Sequence, residues 1–276
     1  MPVLLRTRQQ SNCFYHNWVS ISGTYDGLDP VRKYPNIAYL VEKAFDEIRD
    51  EWWDLGLELG SRGKLAHLAH APTSASYNCD LGLMLAWSKL VSQLATETKD
   101  ILVVCEDPWL FRHLSALPKV NSGRQPLIWP TKFRLSLRGL LARIRLVRRV
   151  VWYSIITRYQ RKNHFGATKA IIVYGHPSSR VDGSDAYFRD LMMKFPGLVR
   201  LVHTDGGAEK ATELASDKRT ASLHGWGSIV FSLNLLFVLW WPSREHITGP
   251  YKWLVRRAAA KENGTESLAG NYWQEH

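Results

Sequence analysis

Apolar positions recur at spacings of three and four along three stretches of this chain. Ile37, Tyr39, Leu40, Ala44, Phe45 and Ile48, continued by Trp52, Trp53 and Leu57, form one stripe. It predicts a helix opened by Pro35-Asn36 and ended near Gly60 and Gly63, with Glu42, Asp46, Glu47, Asp50, Glu51 and Asp54 outward. Asp80 stands as a cap before a second stretch, which runs to about Glu97 with Leu81, Leu85, Leu90 and Leu94 inward. Phe133, Leu137, Leu140, Ile144, Val147, Val151 and Ile155 make the third, within residues 131–163. Between these lie strand patterns. Residues 101–105 are a continuous apolar run of the kind a buried parallel strand shows, and 170–174 and 198–203 read as two more. A short helix is expected over 109–117, another over 185–195, and a further one opening at Ala208. Strand, loop, helix, strand, loop, helix is the rhythm of α/β folds with a parallel sheet flanked by helices, in the Rossmann-like manner. Residues 1–35 read as irregular, and 118–130, with Pro118, Gly123, Pro126 and Pro130, as a linker. The expected divisions are an α/β part over 1–117, a linker and basic helix over 118–168, and a second α/β part over 169–276.

Charge changes the picture of the third stripe. The chain carries a formal net charge of +11, and residues 131–163 hold ten Lys and Arg with no Asp or Glu, so almost the whole excess lies there. Arg134, Arg138, Arg145, Arg148 and Arg149 fall along one flank of the stripe, which makes the segment a basic amphipathic helix. Three readings stand open: a helix lying on an anionic membrane surface through Arg138, Arg145 and Arg149, a binder of nucleic acid phosphates, or a core-packed helix with a solvated basic face. Elsewhere no zinc-finger, KH, RRM or helix-turn-helix signature accompanies the nucleic-acid reading. An apolar segment over 226–241, closed by Trp240, Trp241 and Pro242, reads as a helix that is either buried or interfacial. It is too short for a confident membrane span, and no longer apolar run exists. Three cysteines without metal-ligand spacing point to a reducing compartment and to no bound metal.

Candidate chemistry gathers where the strands end. In an open parallel sheet, ligands bind beyond the carboxyl ends of the strands. The first strand delivers Glu106 and Asp107; the second delivers His176, Ser178, Ser179, Arg180, Asp182, Ser184 and Asp185; the third delivers His203, Thr204, Asp205, Gly206 and Gly207. On one crest these would supply a base, anion clamps and hydroxyl partners. For each the alternative is a turn or a helix cap, with Asp107 before Pro108 and Asp185 as plain cap candidates. Gly206-Gly207 before a helix would let backbone N–H groups approach a phosphate, although it matches no established phosphate-loop pattern. His176, titrating near neutrality and held extended before Pro177, is the first choice of base, with Asp205 second.

The stretch from Asp80-Leu81-Gly82-Leu83-Met84-Leu85-Ala86-Trp87 and that from Leu102 to Leu114, including Cys105-Glu106-Asp107-Pro108-Trp109, resemble bacterial surface carbohydrate biosynthesis proteins of the lipopolysaccharide and capsule type. Ser184-Asp185-Ala186-Tyr187-Phe188-Arg189-Asp190-Leu191, Leu223-His224-Gly225-Trp226-Gly227 and Tyr251-Lys252-Trp253-Leu254-Val255-Arg256-Arg257 resemble the same family. The resemblance implies a glycosyltransferase of GT-B type, of which this chain matches mainly the amino-terminal, acceptor-side half. It implies a nucleotide-sugar donor, no metal, and a lipid-linked or oligosaccharide acceptor. It also implies a cytoplasmic site of action, peripheral on the inner membrane. His176 or Asp205 would then deprotonate the acceptor hydroxyl, while Arg180 or Arg189 neutralises a phosphate and Tyr187 contributes to binding. The alternative is a non-catalytic recruitment or partner module of a polysaccharide assembly complex.

Overall fold

Four short parallel strands, β1 (Val3–Arg6), β2 (Asn17–Ser20), β3 (Ile101–Val104) and β4 (Val120–Ser122), form a sheet in the order β2-β3-β1-β4. The computed structural model describes residues 3–21, 25, 27–61, 65–69, 80–97, 100–162, 172–175, 178–202, 207–216 and 218–275. In register, Leu4 faces Leu102 and Trp18 faces Leu102 from the other side, so β3 has neighbours on both edges and all four of its residues are buried. That explains why 101–105 is continuously apolar. The expectation that residues 1–35 are irregular is corrected. β1 and β2 are there, and each is four residues long, with Val3, Leu5, Trp18 and Val19 as their buried side chains. Likewise β4 lies inside the stretch read as a linker.

Helices flank this sheet. α1 (Ile37–Ser61) turns Ala44, Ile48, Leu55 and Leu59 inward and packs on α2 (Leu81–Leu94). The two approach closely at Gly82, where a Cβ would stand 2.8 Å from the Phe45 ring and 3.0 Å from Trp52. α3 (Pro108–Leu114) follows β3, and α4 (Ile128–Ile156) follows β4, with Pro130 accommodated in its first turn.

A second parallel sheet, β5 (Ile172–Gly175), β6 (Val199–Val202) and β7 (Thr220–Ser222), has the order β5-β6-β7. The expectation of one sheet holding 101–105, 170–174 and 198–203 together is therefore wrong: the first belongs to one sheet and the other two to another. The second unit also holds α5 (Leu191–Lys194), α6 (Gly207–Glu213) and α7 (Ile229–Asn234). The expected helix over 185–195 is reduced to α5, because turns occupy the residues before it. The expected apolar helix over 226–241 is broken into the end of a 3-10 turn at Leu223–Trp226, α7, another 3-10 turn at Leu235–Phe237 and chain without regular structure.

The chain ends in α8 (Arg244–Thr248), α9 (Lys252–Glu262) and α10 (Ser267–Glu275). α9 packs against α2 and α3. The compact units are Met1–Ala142 with Val238–His276, and Arg143–Phe237. Among the described residues no helix is long and apolar enough to cross a membrane.

Candidate functional site

At the carboxyl edge of the four-stranded sheet, Arg6 and Val104 stand side by side, so Thr7-Arg8 and Cys105-Glu106-Asp107 leave together. Glu106 accepts a hydrogen bond from the Arg8 backbone N–H, and the Arg8 guanidinium lies 4.8 Å from the Tyr25 ring centroid. Asp107 caps α3: its Oδ1 accepts from the backbone N–H groups of Trp109 and Leu110, each at 3.0 Å. Its Oδ2 accepts from Arg257 Nε at 2.6 Å. The cap and the charge pair thus share one carboxylate.

Asp80 does not do what its position suggests. It precedes α2 but makes no side-chain cap. Its two oxygens accept from Arg257 Nη1 at 2.5 Å and Nη2 at 2.8 Å, and Lys261 Nζ adds 2.7 Å. Burial alone would raise the Asp80 pKa, but the Arg257 and Lys261 hydrogen bonds and charges outweigh it and hold the carboxyl far below the usual range. Arg257 is 5% exposed and joined to both carboxylates, a planar fork matched to a bidentate partner. This cluster ties α9 to the starts of α2 and α3. Three of the stretches that carry the resemblance, those around Asp80, Asp107 and Arg257, meet in it. Cys105, just before, has its thiol pushed up to about 12 by burial and by the Asp107 charge, so it is inert as a nucleophile near neutrality.

Beside this cluster, a cavity of about 400 Å³ is lined by Ile48, Glu51, Ser88, Lys89, His113 and Tyr251 among others. The Ser88 hydroxyl lies 2.8 Å from His113 Nε2. Burial lowers the His113 pKa to about 4, so its imidazole is neutral at pH 7. A neutral imidazole beside a hydroxyl is the first element of a base-activated nucleophile. Here, however, Ser88 sits on the buried face of α2 and both groups are nearly enclosed, which is the arrangement of a hydrogen-bonded core histidine. No motif in the sequence joins these two residues, which come from different helices.

In the second unit, β5 and β6 end at one edge, with Gly175 opposite Val202. His176, Asp205 and Gly206 lie outside the described residues; Gly207 opens α6. The polar loop after β5 is tightly organised. Asp182 accepts from the Ser184 N–H at 2.8 Å. Asp185 accepts from the Tyr187 N–H at 2.9 Å and from the Ser179 hydroxyl, and it pairs by backbone with Arg189, whose φ is +48°. Arg180, Asp182, Tyr187 and Arg189 themselves are largely exposed. Beneath the loop lies Arg200, fully buried, whose Nη2 donates to the Arg180 carbonyl at 3.0 Å, Nη1 to the Ser184 carbonyl at 3.3 Å and Nε to Thr220 Oγ1 at 3.1 Å. Arg200 was not among the candidates, although a charge inside the apolar run 198–203 was its signal.

α4 exposes a long run of apolar side chains. Its packed face is Gly139, Arg143, Leu146, Val147, Val150 and Ser154. The apolar stripe read from the sequence points outward, with Val147 buried and Val151 half-buried: Phe133 is 61% exposed, and Leu137, Leu140, Leu141, Ile144 and Ile155 are each more than 40% exposed. Trp129 at the helix start and Trp152 near its end are 66% and 59% exposed. At ~100° per residue, Arg134, Arg138, Arg145, Arg148 and Arg149 fill the sector next to this apolar one. All five are exposed. One of the ten bases is not at the surface. Arg143 is buried, donating from Nε to the Leu236 carbonyl at 3.2 Å, and burial lowers its pKa.

Comparison with known proteins adds no relative: no family model, no curated protein and no solved structure matches this chain.

Proposed function

We propose that this protein works at an anionic membrane surface, held there by α4, as a glycosyltransferase of surface polysaccharide assembly. One observation carries the membrane part: an exposed apolar sector of α4 running beside an exposed basic one. Monomeric proteins rarely leave a contiguous apolar patch of this kind in water. Moving one Phe or Leu side chain out of water is worth roughly 1.5–3 kcal/mol, and each base near anionic lipid about 1 kcal/mol. Five bases and as many apolar side chains on one helix are ample to hold a protein on a bilayer. Nucleic acid would engage the bases but leave Phe133, Leu137, Leu140 and Ile144 in water, so the membrane accounts for more of the surface.

The transferase part has two supports. The stretches resembling surface carbohydrate biosynthesis proteins include the Asp80, Asp107 and Arg257 segments that converge in one cluster. The chain also has a parallel sheet flanked by helices, the α/β architecture of a GT-B half. His176 and Asp205 remain the proposed bases for an acceptor hydroxyl, Arg180 and Arg189 the phosphate partners. Glu106, Tyr187 and the Gly206-Gly207 turn remain the proposed substrate contacts. A metal-free transfer would rely on such basic groups and helix N-termini to stabilise a leaving diphosphate.

A second reading, a non-catalytic recruitment module, is favoured by one observation: the carboxylates of Asp107, Asp182 and Asp185 are each engaged by local backbone N–H groups.

Vesicle sedimentation tests the membrane part. The protein should pellet with vesicles of phosphatidylglycerol and phosphatidylcholine at low salt and be released as salt screens the charges. Arg138→Glu, Arg145→Glu and Arg149→Glu together should abolish pelleting, each reversal replacing attraction by repulsion. Equal retention on pure phosphatidylcholine, or none on either, sinks it. Release of nucleoside diphosphate from nucleotide sugars with a membrane-lipid acceptor extract, lost in His176→Ala, separates the transferase from the module.

A further inference from the structure

The exposed side of α4 is not smooth. Within the second unit, Ile144, Val147, Val151, Trp152 and Ile155 of α4, together with Leu236, line a shallow, open groove of about 490 Å³. Arg148 is its one polar lining residue. The far wall is anchored, because the Leu236 carbonyl accepts the hydrogen bond from buried Arg143. Phe237, next in the chain, is 81% exposed. At ~1.5 Å per residue the groove's floor from Ile144 to Ile155 is about 17 Å long.

An occupant can be chosen by chemistry. A sugar or nucleotide needs several polar partners, and this lining offers one. A cation is repelled by Arg148. What fits is a long, narrow apolar body with an anion where Arg148 stands. Arg145, three residues earlier, shares the flank of Arg148, so two guanidinium groups are neighbours on the helix surface. No Asp or Glu occurs from 131 to 163 to offset them. An anion placed there relieves like-charge repulsion and gains charge-assisted hydrogen bonds.

We propose that this groove holds the hydrocarbon chain of a single-chain lipid phosphate, its phosphate on Arg148 and Arg145. The proposal rests on the reading of α4 as the membrane-facing helix and names what that helix takes from the membrane. The chain leaves the bilayer edgewise, lies along Val151 and Ile155, and keeps its headgroup at the interface beside the basic flank. For a transferase with a lipid-linked acceptor, this fixes the acceptor's anchor on the protein rather than in the bilayer.

Equilibrium dialysis with farnesyl monophosphate, below its aggregation limit and without vesicles, tests this. Farnesol and inorganic phosphate are the companion probes, since one has the chain and the other the headgroup. Farnesyl monophosphate should be retained, farnesol about tenfold or more weakly, and inorganic phosphate not measurably. Arg148→Met should remove the preference for farnesyl monophosphate over farnesol. Val151→Trp, which fills the groove, and Ile155→Ser, an exposed position whose change leaves folding intact, should both weaken retention of either chain. Equal retention of farnesol and its phosphate, or retention unchanged in Arg148→Met and Ile155→Ser, overturns the proposal. So does retention of inorganic phosphate as strong as that of the lipid. Phe133→Ser with Leu137→Ser lies outside the groove and should reduce vesicle pelleting without changing dialysis. If the parent protein fails to pellet yet retains farnesyl monophosphate as described, the groove assignment holds and the surface-binding reading falls. If it pellets but retains no lipid phosphate, the groove assignment falls alone.

Discussion

Replacing Arg257 by Met removes the centre of a cluster in which two carboxylates share one guanidinium. Arg257 makes three charge-assisted hydrogen bonds, at 2.5, 2.6 and 2.8 Å, to Asp80 and Asp107. Methionine fills much of the same volume, so the change tests charge rather than packing. Asp80 would retain Lys261, which is itself 43% exposed, and Asp107 would retain its two cap bonds to α3. Two partly buried carboxylates would face each other across the vacated space. Removing one partner of a buried pair costs about 3–5 kcal/mol, and Lys261 should hold this case to about 3 kcal/mol. The assay is urea unfolding followed by far-ultraviolet circular dichroism, together with hydrogen exchange of the α9 amides, which should lose protection first. Arg257→Met combined with Asp80→Asn should recover part of the loss, since it removes a now uncompensated charge. A loss below about 1 kcal/mol with unchanged α9 protection would mean that the cluster is a surface ion pair in effect, and that α9 is held by apolar packing alone.

Further outcomes follow from close approaches and from titration. Gly82→Ala should cost about 1–3 kcal/mol, because its Cβ would press on Phe45 and Trp52 at the α1 and α2 contact. Gly139→Ala should cost more, since its Cβ would fall 1.8 Å from the backbone oxygen of Asn263, whereas Gly270→Ala, with nothing within 4 Å, should be neutral or stabilising by about 0.5–1 kcal/mol. Thermal unfolding of the three variants checks the order, and equal melting temperatures would refute it. His113 gives a pH window: its folded pKa of about 4 lies below its ordinary 6.5, so the unfolded chain binds the extra proton between those values. The stability it contributes is complete above pH 6.5 and is lost as pH falls toward 4, by about 3 kcal/mol in all. Asp80, also depressed, adds acid sensitivity below about pH 4. His113→Asn should flatten the decline between pH 6.5 and 4; an unchanged slope would show that other groups carry it.

The long helices and the buried strand were legible because their signals are long or redundant. α1 repeats its stripe over 25 residues, and β3 is apolar at each of its four positions because it has neighbours on both edges. β1, β2 and β4 escaped because three or four residues, half of them facing outward, give too few positions for a period. Nothing local says which strands pair, so the assignment of 101–105, 170–174 and 198–203 to one sheet was a guess about connections of dozens of residues. The return of residues 238–276 to the first unit is likewise invisible, being carried by Arg257 reaching Asp80, 177 residues away.

The outward stripe of α4 shows where sequence patterning fails in principle. Periodicity reports that a helix has an apolar side, not that the protein supplies what covers it. α4 has two apolar sides. One, built from small and mid-sized residues such as Gly139, Leu146 and Val150, packs against this chain; Gly139 is needed because the Asn263 backbone lies against it. The other is built from Trp129, Phe133, Leu137 and Ile144, larger and more regular, and so it dominates the pattern read from the sequence. Bases flank that second side and not an acidic or mixed face, the pattern on which the proposed interfacial reading rests. The same reasoning separates the two kinds of candidate site. Asp107 and Asp185 satisfied the sequence criteria for chemistry by meeting the criteria for caps and turns, because a carboxylate just after a strand suits both. The apolar sector of α4 is left exposed among the described residues, and an exposed surface of that kind is the stronger argument for a partner.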